Sequence, residues 1–183
     1  PAKSWRGLLF SATFPEDTIS TASTLLSPGF VEVNMVSESD AATPSWIQQS
    51  YSVVQLEALA DVLWRVLQRE LRSGPPQKIL VFFPASRLAQ YYAELFQKAG
   101  MDILQMHGKA SRHDRRRVTG VFRAPTALAQ QSSVLFSTDV SARGMDYPDV
   151  SLVVHVGAPS ALGAPAPSQY VHRLGRAGRA GRA

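Results

Sequence analysis

The sequence predicts an α/β domain built on a parallel sheet with helices on both faces. Three observations carry that expectation. Short apolar runs alternate with amphipathic stretches, as connected strand–helix units require. One run, Ile79-Leu80-Val81-Phe82-Phe83, is apolar without interruption, as expected of a strand covered on both faces. The composition supports a packed core rather than a disordered chain, with 45% hydrophobic and 18% charged residues.

The elements follow in chain order. Arg6 to Phe10 reads as a short strand running into Ser11-Ala12-Thr13. A helix then starts around Pro15, which suits a first helical turn, and reaches about Leu26. Ser27-Pro28-Gly29 stops it, and Phe30 to Val33 reads as another strand. Residues 37–45 lack apolar periodicity and read as a linker. The expected division is therefore 1–36, the linker 37–45, and a main domain 46–183.

Within the main domain, Ile47 to Val54 reads as a strand. Leu56, Leu59, Leu63, Val66, Leu67 and Leu71 line one helical face, closed by Ser73-Gly74-Pro75-Pro76. Ile79 to Phe83 is the central strand. Leu88, Tyr92, Leu95, Phe96 and Ala99 mark a second helix, ended by Gly100. Ile103 to Met106 is a strand, and Ser111 caps a third helix reaching Phe122. Val134 to Phe136 and Leu152 to Val156 complete the strands. Ala124 to Ser133 and Ser160 to Ser168, rich in Ala, Pro, Gln and Ser, read as surface insertions.

Net charge is +5 and the isoelectric point is near 9.9, which leans toward a polyanionic partner. The absence of cysteine excludes disulfides, thiolate nucleophiles and cysteine-based zinc sites in this segment. No apolar run approaches the roughly 20 residues of a membrane span, so no membrane is expected among the partners. The chain begins at Pro1 and stops just after an Arg/Gly run, and it reads as a segment of a longer protein.

That run, His172 to Arg179, sets one histidine and three arginines in eight positions with two glycines between them. Arginine offers a planar, permanently charged fork suited to phosphate, and glycine lets the backbone turn tightly. Alone, the run is as compatible with a basic tail as with a phosphate site. A second segment, Thr138-Asp139 through Ala142-Arg143-Gly144-Met145-Asp146, follows a strand and supplies carboxylates that can bind a ribose hydroxyl.

Taken in order, Ser11-Ala12-Thr13, Val81-Phe82-Phe83-Pro84, His107-Gly108 with Arg115 and Phe122, Thr138-Asp139…Ala142-Arg143-Gly144-Met145-Asp146, and His172 to Arg179 resemble the DEAD-box RNA helicases of superfamily 2. The wording around His107 and Ala142 is most similar to the branch holding organellar splicing helicases. The resemblance implies RecA-like folding and two such domains, with ATP between them and RNA across both. This chain would hold the tail of the first domain and most of the second. The implied activity is ATP-dependent unwinding of short RNA duplexes. Other readings are an ATP-regulated RNA clamp with little turnover and a superfamily 2 DNA helicase.

By the same resemblance, Arg176 and Arg179 are arginine fingers on the γ-phosphate, and His172 links the ATP site to the Ser-Ala-Thr segment. Asp146 contacts the ribose or the adenosine side of ATP, and Gly144 lets the backbone approach it. Arg87, Gly108, Arg115 and Thr138 contact the RNA backbone. Ser11, Ala12 and Thr13 couple hydrolysis to strand separation. Arg173 is assigned no catalytic role, and Arg143 braces the site. ATP and Mg2+ are the implied cofactors, with the metal ligands expected in the first domain, outside this chain. The chain departs from the family at Arg112, where Gln is usual, and at Ala85, where Thr is usual; Ser86 lies one place along. The implied location is intracellular: mitochondrion or plastid, otherwise nucleus or cytoplasm.

Overall fold

A computed structural model describes residues 7–10, 16–33, 46–108, 110–125, 131–139, 147–157 and 166–177. The chain divides into two compact units, Pro1–Ala41 and Ala42–Ala183. In the first unit, helix α1 covers Glu16–Leu25.

In the second unit, a 3-10 turn at Leu56–Ala58 leads into α2, Leu59–Leu71. Next come β1 (Lys78–Phe82), α3 (Ser86–Lys98), β2 (Ile103–Met106), α4 (Arg112–Arg123), β3 (Ser133–Ser137), β4 (Leu152–His155) and α5 (Ala166–Leu174). Among the described residues the sheet has four strands in the order β2-β3-β1-β4, all pairs parallel. Ile79 sits between Val134 and Leu152, and Val134 also pairs with Ile103.

Strand alternation divides the core into two layers. Ile79, Val81, Phe83, Val134 and Phe136 face one way and pack with Leu63, Leu67, Tyr92 and Phe96 of α2 and α3. Leu80, Phe82, Leu104, Met106 and Leu135 face the other way, against Val118 and Phe122 of α4 and the buried Tyr147. Both faces are covered, which is why β1 reads as an unbroken apolar run. Each fully buried aliphatic or aromatic side chain contributes about 1.5–3 kcal/mol.

At the amino-terminal edge of the sheet, the buried Lys78 donates from Nζ to the carbonyls of Phe122 (2.9 Å), Pro148 (3.1 Å) and Ala124. These bonds pin the end of α4 and the segment entering β4. Burial lowers the pKa of the Lys78 ammonium from its ordinary value, and the Asp149 carboxylate partly offsets this.

Three expected strands are not formed. Residues 7–10, 30–33 and 47–54 are irregular, with Phe10, Val31, Tyr51 and Val53 well exposed. Apolar composition satisfies a strand only where another edge supplies backbone partners. Nor is all of 160–168 an insertion, because 166–168 already belong to α5.

Candidate phosphate and RNA site at the strand ends

The carboxyl ends of the strands gather most of the described sequence-predicted site residues. Beyond β1, α3 begins after Ala85, whose side chain makes no capping bond to the helix's first N–H groups. Arg87 is exposed in this first turn. Beyond β2, Gly108 is exposed, and a Cβ at this position would stand 3.9 Å from Ser86 Oγ. The β2 loop therefore lies against the start of α3, with the Ser86 hydroxyl facing it. Ala85 has no hydroxyl to offer, and Ser86 supplies one nearby.

Arg115 braces this loop. Its Nη2 donates to the carbonyls of Gly108 (2.9 Å) and His107 (3.4 Å), and its Nε to that of Ala110 (3.2 Å). Ser111 caps α4: its Oγ accepts from the Asp114 amide (3.0 Å) and donates to Asp114 Oδ2 (2.6 Å). The Ser111 hydroxyl holds the Asp114 carboxyl below its ordinary pKa, with smaller help from His113 and Arg117.

Thr138 follows β3 and is buried. The next residue, Asp139, receives a two-point grip from Arg173 of α5, with Nε to Oδ1 and Nη2 to Oδ2 both at 2.6 Å. Arg173 is 2% exposed and lies over the Phe82 ring, 5.2 Å from its centroid. This pair was not foreseen. The arginines of the run looked alike by charge, yet Arg173 grips a carboxylate inside the protein.

Helical spacing explains the division. Gln169 and Arg173 lie four residues apart on the buried side of α5, whereas His172 is exposed and Arg176, in the turn past Leu174, is half-buried. The same spacing could have flagged Arg173. His172 is exposed, and its carbonyl accepts from Arg176 Nε at 3.3 Å. After α5 the backbone tightens, with Arg176 N donating to Arg173 O (3.1 Å) and Ala177 N to Leu174 O (2.9 Å). A Cβ on Gly175 would approach the Val171 carbonyl to 3.3 Å, so glycine suits the turn that presents Arg176.

Tyr170 packs edge-on to His155, with ring centroids 5.2 Å apart, and donates its hydroxyl to Gln49 Oε1. Burial pushes the His155 imidazole down to about 4. The Arg173 guanidinium adds to this and the Asp139 carboxylate opposes it. Burial pushes the Tyr147 phenol up to about 12, against smaller opposing effects of Arg123 and Arg176.

Ser11, Ala12, Thr13, Arg143, Gly144, Asp146 and Arg179 lie outside the described residues. Among the described residues, no cluster of His, Asp or Glu could hold a metal ion. No helix among them is long and apolar enough to cross a membrane.

The helicase conserved C-terminal domain matches residues 58–181. DEAD-box ATP-dependent RNA helicase 26 of Oryza sativa subsp. japonica is 36% identical across 96% of this chain and 31% of its own length. The mitochondrial ATP-dependent RNA helicase MSS116 of Phaeosphaeria nodorum is 34% identical across the whole chain and 32% of its own length. The chain thus spans about a third of these relatives. Among solved structures, S. cerevisiae Dbp5 bound to RNA and ADP BeF3 superposes with a TM-score of 0.74 at 28% identity, covering 94% of this chain and 42% of that one. Mss116p DEAD-box helicase domain 2 bound to an RNA duplex gives 0.50 at 27% identity, covering 69% and 45%. The parallel sheet, its two helical layers and these matches place the chain in the helicase conserved C-terminal domain family, as a RecA-like domain of the DEAD-box RNA helicase type.

Proposed function

We propose that this chain is the RNA- and phosphate-binding second half of an ATP-dependent RNA helicase that unwinds short duplexes. The observation that carries the reading is the Asp139–Arg173 pair. It joins the residue after Thr138, on the proposed RNA side, to the helix that carries His172 and leads into Arg176, on the proposed ATP side. Movement at one set is thereby transmitted to the other through this buried contact.

On the RNA side, Arg87, Gly108 and Thr138 hold the sugar-phosphate backbone. Such contacts position a strand without reading its sequence. Arg115 serves by holding the Gly108 loop in shape. On the ATP side, Arg176 and Arg179 stabilise the charge that spreads over the γ-phosphate during transfer, and His172 links this site to Ser11, Ala12 and Thr13. Gly144 and Asp146 take the ribose. Arg176 fits the phosphate role, since Gly175 allows the tight turn behind it and Nε is anchored on the His172 carbonyl. Mg2+ would neutralise phosphate charge from carboxylates of a partner domain.

Residues 1–36 are then the tail of a first RecA-like domain, 37–45 a linker, and 46–183 the second domain. The likeness to a mitochondrial relative supports an organellar location.

The test joins this chain to a complete first domain. Arg176→Lys and Arg176→Ala should both lower RNA-stimulated ATP turnover by about 10³-fold or more, because lysine lacks the two-point geometry. The 183-residue chain alone should hydrolyse no ATP. A lysine variant near wild-type turnover, or RNA-stimulated hydrolysis by the chain alone, defeats the reading.

A further inference from the structure

We propose that the outward face of α4 is a second phosphate track, which carries an RNA strand onward from the strand-end contacts along the length of the helix. The inference rests on the reading above for RNA as the polyanion.

Helix α4, Arg112–Arg123, holds five arginines, no lysine and one carboxylate in 12 residues. Asp114 is engaged by the Ser111 cap, and Arg115 is turned back onto the loop carbonyls. At about 100° per residue, Arg112, Arg116 and Arg123 fall within about 40° of one another. Val118 and Phe122, which enter the core, lie about 100–140° round the helix from the middle of this stripe. All three arginines are exposed, and among the described residues none pairs with a carboxylate. The stripe extends for about 16 Å from the amino end of α4, near Gly108.

This arrangement works against the helix itself. Arg112 and Arg116 are like charges four apart, which weakens a helix. The dipole favours Arg123 at the carboxyl end but disfavours Arg112 at the amino end. Gly120 adds a further weakness, being a glycine inside a helix. Among the described residues a Cβ there would meet nothing within 4 Å, so none of them requires a glycine at this position. Its effect is to leave bare backbone between Arg116 and Arg123, where a sugar-phosphate chain can approach closely. Planar arginine forks on either side of a side-chain-free floor suit phosphate rather than general solubility.

The test measures binding of the 183-residue chain to single-stranded 6-nucleotide and 20-nucleotide uridine RNAs across a salt series. Arg116→Gln with Arg123→Gln should weaken the 20-mer about tenfold and reduce its log–log salt slope by about 1.4, near 0.7 per lost phosphate contact. The 6-mer, held at the strand ends, should be unaffected. Gly120→Gln should raise the melting temperature yet weaken the 20-mer several-fold, an opposition that a purely structural role does not produce. Equal losses for both lengths overturn the track. So does an unchanged 20-mer affinity in Gly120→Gln, or no wild-type binding to the 20-mer at 50 mM salt. Binding of poly-glutamate in place of RNA, with the same arginine dependence, overturns it in favour of an acidic protein partner. Arg87→Gln separates the two readings. If it spares both RNAs while the α4 variants weaken only the 20-mer, the strand-end assignment fails and the track stands.

Discussion

Replacing Asp139 by Asn should destabilise the second unit more than removing its partner Arg173. The two bonds are short and parallel at 2.6 Å each, and Arg173 is almost wholly enclosed. Bonds to charged groups contribute about 1.5–3 kcal/mol each before desolvation is subtracted, so their gross value does not give the net effect. The cost of breaking the pair lies mainly in the charge left behind. Uncompensated buried charge costs about 3–5 kcal/mol. Asp139→Asn strands the guanidinium inside the protein and turns an amide N–H₂ toward one of its donors. The Asp139 side chain keeps 21% exposure, so the cost should fall at the lower end, about 3 kcal/mol. Arg173→Met leaves a carboxylate that can still reach water and fills much of the vacated space over Phe82. Its cost should be about 1–2 kcal/mol. The double change Arg173→Met with Asp139→Leu should be more stable than Asp139→Asn alone, showing the non-additivity of contacting residues. Urea unfolding of the chain, read at constant slope, measures all three. The reasoning is refuted if Asp139→Asn costs less than 1 kcal/mol, or if Arg173→Met proves the more damaging change.

Two further outcomes follow from buried titratable groups. His155 is held neutral in the fold, with its pKa lowered to about 4 against 6.5 in an ordinary setting. Between those values the unfolded chain binds more protons, so stability falls as pH drops from about 6.5 toward 4. The full difference corresponds to about 3 kcal/mol, but water reaches part of the ring, and about 1–2 kcal/mol is expected. Urea midpoints at pH 7 and pH 5 for wild type and His155→Gln check this, since the variant should lose most of the slope; an unchanged slope contradicts the assignment to His155. Lys78→Met should cost about 2–4 kcal/mol, because three backbone carbonyls lose their shared donor where α4 ends and β4 is approached. Hydrogen exchange should show the loss concentrated in the last turn of α4, and uniform loss across the sheet would contradict that account.

Much of the main domain is legible in the sequence because local signals and tertiary needs agree there. Ile103–Met106 forms its strand at the expected bounds, and Ser111 caps α4 as its position before a polar first turn indicates. The irregular segments 7–10, 30–33 and 47–54 are illegible for the opposite reason. A strand is completed by another strand's backbone, and apolar residues such as Tyr51 and Val53 do not reveal whether an edge is available to them. The site divides along similar lines. Arg87, Gly108 and Thr138 stand at strand ends, so the order of elements alone brings them together. Arg173 requires one further step, the phase of α5. Charge alone makes Arg173 and Arg176 equivalent, but Arg173 lies within α5 on its buried side and Arg176 lies in the turn past its last residue, Leu174. Arg173 falls with Gln169 on the buried side and must find a carboxylate, whereas His172 is exposed and Arg176 follows the helix, half-buried. A basic run that starts on a helix and continues past it is thus not one set of residues, because burial and the helix end sort its members before any ligand arrives. In α5 the inward Arg173 fixes the helix against the residue that follows Thr138, while Arg176, just past the helix and anchored through Nε on the His172 carbonyl, suits the phosphate role proposed for it.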